Sequence, residues 1–325
     1  MAESALQSIF RDGEASLQAF DAAKSRAKKT DVSDTYQSGI LFRLVGKVDA
    51  TFPPDATIDI LSVRNVFDYD SVLLSEEIDL DIAAAIKSCF KAVNLTVLAH
   101  TERHAERFRD LIQEKRSDLL GVDINIRSGS VEDVVGGTKE TKYHVIVALH
   151  GMYQSDDYNA DLGRLYHALV DDGVLMVVTF TGGAFWGVWK RVSPYHDRQA
   201  AHYINAKHIR DSLAMRAIPF ETSEISTLFD ITYCFDEKND DEDVNKLVDF
   251  LTLTADFKDV ASPQLYKRII EFVTNGPFTR KRPNGTVLLR NVSEALFVQK
   301  PVRPQPRSRD EQMEGRFKRF LTSLK

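Results

Sequence analysis

From residue 58 to residue 180 the chain alternates short, nearly continuous apolar blocks with stretches whose apolar positions recur at helical spacing. Residues 58–63, 95–99, 122–126, 143–149 and 174–180 are rich in β-branched side chains and predict strands. Residues 79–90, 102–115 and 161–171 carry helical patterns between most of them. Strands without polar alternation, separated by helices, imply a parallel sheet covered on both faces. Farther on, residues 228–235 and 286–298 predict longer strands, with helices over 205–216, 244–254 and 263–273. Ahead of the first strand, Leu6, Ile9, Phe10, Leu17 and Phe20 space a helix over residues 2–29. The pattern predicts an α/β chain: a Rossmann-like, doubly wound, mostly parallel sheet of about seven strands, with 95–99 beside 58–63.

Composition narrows this picture. A chain of 325 residues with 43% hydrophobic content can bury a large core, so residues 1–300 are expected to form one domain, its N-terminal helix (1–29) covering a pocket. Two cysteines, Cys89 and Cys234, are too few for a disulfide framework. With no apolar leader and no run of about 18 apolar residues, the expectation is a cytoplasmic protein with no membrane contact. The net charge of -6 argues against general nucleic-acid binding, but it is unevenly spread. Residues 301–325 carry seven Lys or Arg against three acids. In that tail Met313, Phe317, Phe320, Leu321 and Leu324 recur at helical spacing, which predicts a basic amphipathic helix docked on the acidic body or on a second copy.

In open α/β sheets ligands gather at the carboxyl ends of the strands, and glycines in the first turn let backbone approach a nucleotide. Here that turn is Ser62-Val63-Arg64-Asn65-Val66-Phe67-Asp68, which has no glycine. Where the second strand should end in a ribose-holding acid, the chain has Ala99 and His100. Arg64 is expected to stay solvated, to pair with Asp68 or Asp70, or to fill the vacated space. His150, after the fourth strand, is either a structural histidine or the one candidate for proton transfer. The acidic run 236–243 lacks metal-ligand spacing, so it reads as an exposed loop and no metal site is expected.

The segments LHGMYQSDDYNADLGRLYHALVDDGVLMVVTFTGGAFWGVWKR, HYINAKHIRDSL, ISTLFDITYCFDEKNDDEDVNKLVDFLTLTADF and NGTVLLRNVSEALFV carry a resemblance to the histamine N-methyltransferase family. It runs in order from Phe10 to about Val298. The resemblance implies a class I methyltransferase fold using S-adenosylmethionine, with a small subdomain covering an aromatic pocket. The pocket residues it implies are Phe10, Phe20, Tyr153, Trp186, Trp189, Tyr195, Phe250 and Asn291. Aromatic faces attract a cationic amine, and a carboxamide can hydrogen-bond a ring nitrogen.

Several positions depart from the family pattern. Lys29 stands where the family has an orienting carboxylate, His150 replaces a glutamine, and Gln154 replaces an aromatic. Trp186 and Trp189 lie three apart rather than four. The matching donor-site positions are Ser62, Arg64, Asn65, Phe67, His100, Ser130 and Leu149, with Ser130 placed either to cap a helix or to face an adenine. The expectation is a methyltransferase-like protein whose S-adenosylmethionine site is lost or rebuilt, binding a small aromatic or amine molecule without that cofactor. The alternatives are a working small-molecule N-methyltransferase with an unusual donor loop, and a scaffold acting through its tail.

Overall fold

The computed structural model describes residues 6–7, 9, 18–19, 22–23, 25, 36–64, 78–99, 102–114, 119–136, 142–155, 157–196, 204–232 and 242–301. The tail expected to form a helix (residues 302–325) and most of the acidic run 236–243 lie outside the described residues. A π-helical turn, Tyr36–Leu41, leads into α1 (Phe42–Asp49) and then β1 (Thr57–Arg64). There follow α2 (Ile78–Lys87), β2 (Ala92–Ala99), α3 (Glu102–Glu114), β3 (Val122–Ser128), the short α4 (Val131–Val135) and β4 (Tyr143–Leu149). The second half contains α5 (Tyr158–Ala168), β5 (Leu169–Phe180), α6 (Ala184–Val192), α7 (Ala206–Met215) and β6 (Glu221–Asp230). It closes with α8 (Glu242–Thr252), α9 (Phe257–Val260), α10 (Pro263–Asn275), β7 (Thr279–Lys281) and β8 (Val287–Gln299).

These strands make one eight-stranded sheet in the order β3-β2-β1-β4-β5-β8-β6, with the short β7 also pairing with β8. The strands β3, β2, β1, β4 and β5 run parallel, whereas β8 is antiparallel to β5, β6 and β7. The doubly wound, mostly parallel, Rossmann-like architecture is therefore the one the strand pattern predicts, with β7 added. Because β1 lies between β2 and β4, strand order reverses at β1 and β4, which is the switch point of the fold.

Alternating side chains of the central strands feed two apolar layers. Ile60, Val97, Val147 and Leu149 pack with Leu44 and Val48 of α1, Ile82 and Ile86 of α2 and Phe108 of α3. Leu61, Leu98, Ile146 and Val177 face the other way, against Leu162 and Leu165 of α5 and Ile209 and Leu213 of α7. Burial of both faces explains the unbroken apolar runs of β1 and β4.

Four elements differ from the sequence expectation. β6 begins at Glu221, well ahead of residue 228, because as an edge strand it alternates exposed and buried positions and so lacks a continuous apolar signal. α5 stops at Ala168, before residue 171, because Leu169 joins the sheet opposite Tyr143. Helix α6, which carries both tryptophans, has no counterpart in the expected elements. Leu6 is buried and bridged to His196, its N–H donating to the Tyr195 carbonyl at 2.9 Å, so the N-terminal helix does not include it. No described helix is long and apolar enough to cross a membrane.

Candidate functional site

The carboxyl ends of β1 and β4 cross closely. Arg64 and His150 form an isolated antiparallel bridge, and the His150 N–H donates to the Val178 carbonyl at 2.8 Å. His150 has a φ of 50°, a left-handed conformation that costs a non-glycine residue roughly 1–2 kcal/mol. At the next position a Cβ on Gly151 would stand 2.2 Å from the Val63 carbonyl oxygen, so the crossing requires glycine there.

Beneath the crossing is a buried polar knot. The Ser62 hydroxyl donates to Asp79 Oδ1 at 2.5 Å, and Arg64 Nη1 lies 3.2 Å from Asp79 Oδ2. The guanidinium also stands over Phe108, 4.5 Å from the ring centroid. The first turn of α2 thus supplies the described partner of Arg64, while Asp68 and Asp70 lie outside the described residues. A buried charge left unpaired is costly, which favours holding the guanidinium against Asp79.

A cavity of about 310 Å³ opens beside this edge, walled by Val63, Arg64 and Leu98 at the strand ends, Ser130 of the β3–α4 turn, Gly151, and Arg164 of α5. Of the two roles expected for Ser130, its hydroxyl takes the cap: Oγ accepts from the Asp133 N–H at 3.2 Å, and the Ser130 N–H donates to Asp133 Oδ2 at 2.8 Å. Arg164 spans α4 and α5, reaching Glu132 at 2.9 Å and Asp161 at 2.8 Å, while Asp161 also accepts from the Ser155 hydroxyl at 2.6 Å. The polar groups of this wall are largely engaged with one another. Leu149 turns away from the cavity into the layer against α1 and α2.

His150 is buried with its ring 4.6 Å from Phe180. Burial pushes its pKa down to about 3, so the imidazole is neutral at pH 7 and a poor proton acceptor there.

Beyond β5 the character of the site changes. Phe185 at the start of α6 touches Phe180 (5.2 Å between centroids), Phe229 of β6 (5.1 Å) and Phe250 of α8 (5.4 Å). Asn291 of β8 is buried here, its Oδ1 accepting from the Phe185 N–H at 3.4 Å, while its Nδ2 has no hydrogen-bond partner among the described residues. Close approach of α6 to β8 depends on Gly183, whose Cβ would lie 3.2 Å from the Val292 nitrogen.

The expected pocket residues do not all meet. Phe250 and Asn291 converge through Phe185. Trp186 turns toward His208 of α7 (6.3 Å) and Lys190 (5.6 Å), and Trp189 packs on His196 (5.1 Å) on another flank. The two indoles, three residues apart on α6, meet different neighbours. Tyr195 is half-buried on the same core, its carbonyl holding Leu6. Phe10, Phe20, Asn65, Phe67 and His100, and the side chain of Tyr153, lie outside the described residues. Sequence reasoning missed Phe180, Phe185 and Phe229, and missed Asp79, an acid inside the apolar run Ile78–Lys87 whose burial was the available signal.

No family model matches the chain. Histamine N-methyltransferase A of Xenopus laevis is 28% identical over 236 residues, covering 69% of this chain and 78% of that protein. Carnosine N-methyltransferase 2 of Gallus gallus is 24% identical over 61% of this chain and 62% of its own length. Among solved structures, a putative methyltransferase from Bacillus halodurans superposes with a TM-score of 0.50 at 12% identity, covering 81% of this chain and 99% of that one, a likeness of fold. The chain is a methyltransferase-like protein with the Rossmann-like class I fold, a divergent relative of the histamine N-methyltransferases.

Proposed function

We propose that the protein binds a small aromatic or amine molecule in the antiparallel half of the site, and that its methyl-donor position has been rebuilt so that S-adenosylmethionine is not held there. The observation that carries the reading is Asn291, a buried donor amid Phe180, Phe185, Phe229 and Phe250 with its Nδ2 unmatched among the described residues. Leaving such a group unpaired costs about 1–3 kcal/mol, a cost that a ligand acceptor removes. Phenyl faces around it favour a flat ring or a cation.

Among the described residues, the donor edge lacks features of the cofactor's usual seat. A buried Ala99 ends β2, where a carboxylate would bind ribose hydroxyls. The Ser130 hydroxyl caps α4, and Arg164 bridges two carboxylates. Losing one charge-assisted contact costs about 1.5–3 kcal/mol, or roughly tenfold to a hundredfold in affinity. The second reading, a working N-methyltransferase, is favoured by the 310 Å³ cavity at the strand ends and by Gly151 at its wall. Titration calorimetry with S-adenosylmethionine and S-adenosylhomocysteine separates the two. No saturable binding at micromolar concentration is expected, and a micromolar Kd for either restores the transferase.

A further inference from the structure

Asn291 is not the one polar group left unmatched in the antiparallel half. Ser293, two positions along β8, is 3% exposed, and its Oγ has no hydrogen-bond partner among the described residues. Alternate residues of a strand point to the same face, so Asn291 and Ser293 form a row, roughly 6–7 Å from one to the next. Phe180 of β5 and Ile225 of β6 stand opposite Ser293, and Thr227 of β6 stands opposite Asn291. Directly opposed residues of an antiparallel pair share a face, so Ser293 lies on the face of Phe180, whose ring touches Phe185. Along β8, Leu288, Leu289, Ala295 and Leu296 are buried and apolar, and the charged neighbours Arg290 and Glu294 are paired with Glu224 and Arg210. Buried polar groups are nearly always hydrogen-bonded, and two unmatched ones on one face of a strand call for a shared partner.

We propose that Ser293 determines ligand specificity: with Asn291 it makes a two-point polar stripe that selects single-ring molecules bearing a hydrogen-bonding group at each end. The proposal rests on the small-molecule reading above. Because the Phe185 N–H fixes Asn291 Oδ1 as acceptor, Nδ2 faces away as donor and takes the acceptor end of the ligand. The Ser293 hydroxyl accepts from the opposite end, where an ammonium would also meet the Phe180 face. Among ligands of this class are phenols carrying a para aminomethyl group.

The test uses the full chain, with para-hydroxybenzylamine as the two-ended probe and para-cresol, which lacks the amine, as the one-ended control. Calorimetry should show wild type preferring the two-ended probe by about tenfold, the equivalent of one hydrogen bond, and Ser293→Ala losing that preference without weakening para-cresol. The melting temperature of the unliganded Ser293→Ala protein should hold or rise, since an unmatched buried hydroxyl is removed. A clear drop, or failure to fold, would mean that the hydroxyl has a structural partner, and the proposal falls. Equal preference in the two proteins overturns the stripe and leaves the pocket standing. If neither probe binds saturably at millimolar concentration, stripe and pocket reading fall together.

Discussion

Along the parallel half of the sheet's carboxyl edge, Ser62, Arg64 and Asp79 answer one another beneath the surface, and Arg164, Glu132 and Asp161 do so at the cavity wall. In the antiparallel half, Asn291 is buried beside Phe185 and Ser293 is buried opposite Phe180 and Ile225, each with an atom unmatched among the described residues. The first arrangement pairs its charged groups, Asp79 Oδ2 by its ion pair with Arg64 rather than by a hydrogen bond. The second leaves polar atoms unmatched, which raises the free energy of the unliganded protein and leaves a gain for a ligand to collect. A region built from mutually paired charges is a poor place to look for a new polar ligand, even when it contains the cavity.

The sharpest way to break the contrast is Asp79→Ala. It removes the buried carboxylate that serves Ser62 and leaves the 9%-exposed Arg64 side chain without this counter-charge. A loss of about 3–5 kcal/mol is expected in denaturant unfolding, by analogy with other broken buried pairs. Replacing Arg64 and Asp79 together by Met and Leu should recover much of that loss. If Asp79→Ala costs under about 1 kcal/mol, the knot is not the stabilising element described.

Next in size are two titrations of opposite sign. The folded pKa of His150 is pushed from its ordinary 6.5 down to about 3 by burial, so its contribution to stability is complete above pH 6.5 and is lost as pH falls toward 3. Asp249 of α8 is raised from 3.8 to about 6, chiefly by burial, against the opposing pull of the Phe257 N–H and of Lys246 at 3.6 Å. Its contribution is complete below pH 3.8 and is lost as pH rises through 6. Asp249→Asn keeps an acceptor for Phe257 and should stabilise the protein by up to about 3 kcal/mol at pH 7, with no gain at low pH. His150→Phe should flatten the acid limb instead. Thermal melts across pH check both, and an Asp249→Asn curve parallel to wild type would refute the assigned burial.

The smallest effect belongs to the cavity wall. Arg164 is 34% exposed and Glu132 68%, so Arg164→Ala should cost less than about 1 kcal/mol, and less still at high salt. A larger, salt-independent loss would show that this wall is held as firmly as the knot beneath it.

Much of the parallel half was legible because its strands are buried on both faces and its helices on one, patterns that hydrophobic periodicity reports directly. The ends of β1 and β4 were located from sequence alone, and with them the carboxyl edge where the cavity lies. β6 escaped for the opposite reason: its register Glu221↔Phe297 to Asp230↔Leu288 is supplied by β8, and its own alternation resembles a polar loop. Phe180, Phe185 and Phe229 could not be told from core aromatics, because nothing local says which rings will share a contact. The tryptophans, expected to line one pocket, meet His208 and His196, partners brought to α6 from distant parts of the chain.

The sequence by itself determined the alternation of strands and helices, the missing glycines after β1, the missing acid after β2 and the kinship to methyltransferases, because each of these is written in neighbouring residues. Tertiary structure alone decided that Asp79 pairs with Arg64, that Ser130 caps α4 at the cavity wall, and that Asn291 and Ser293 remain unmatched among the described residues. Whether a polar atom finds a partner depends on groups brought together from distant parts of the chain, such as Phe185 and Asn291, and no local pattern encodes that distance.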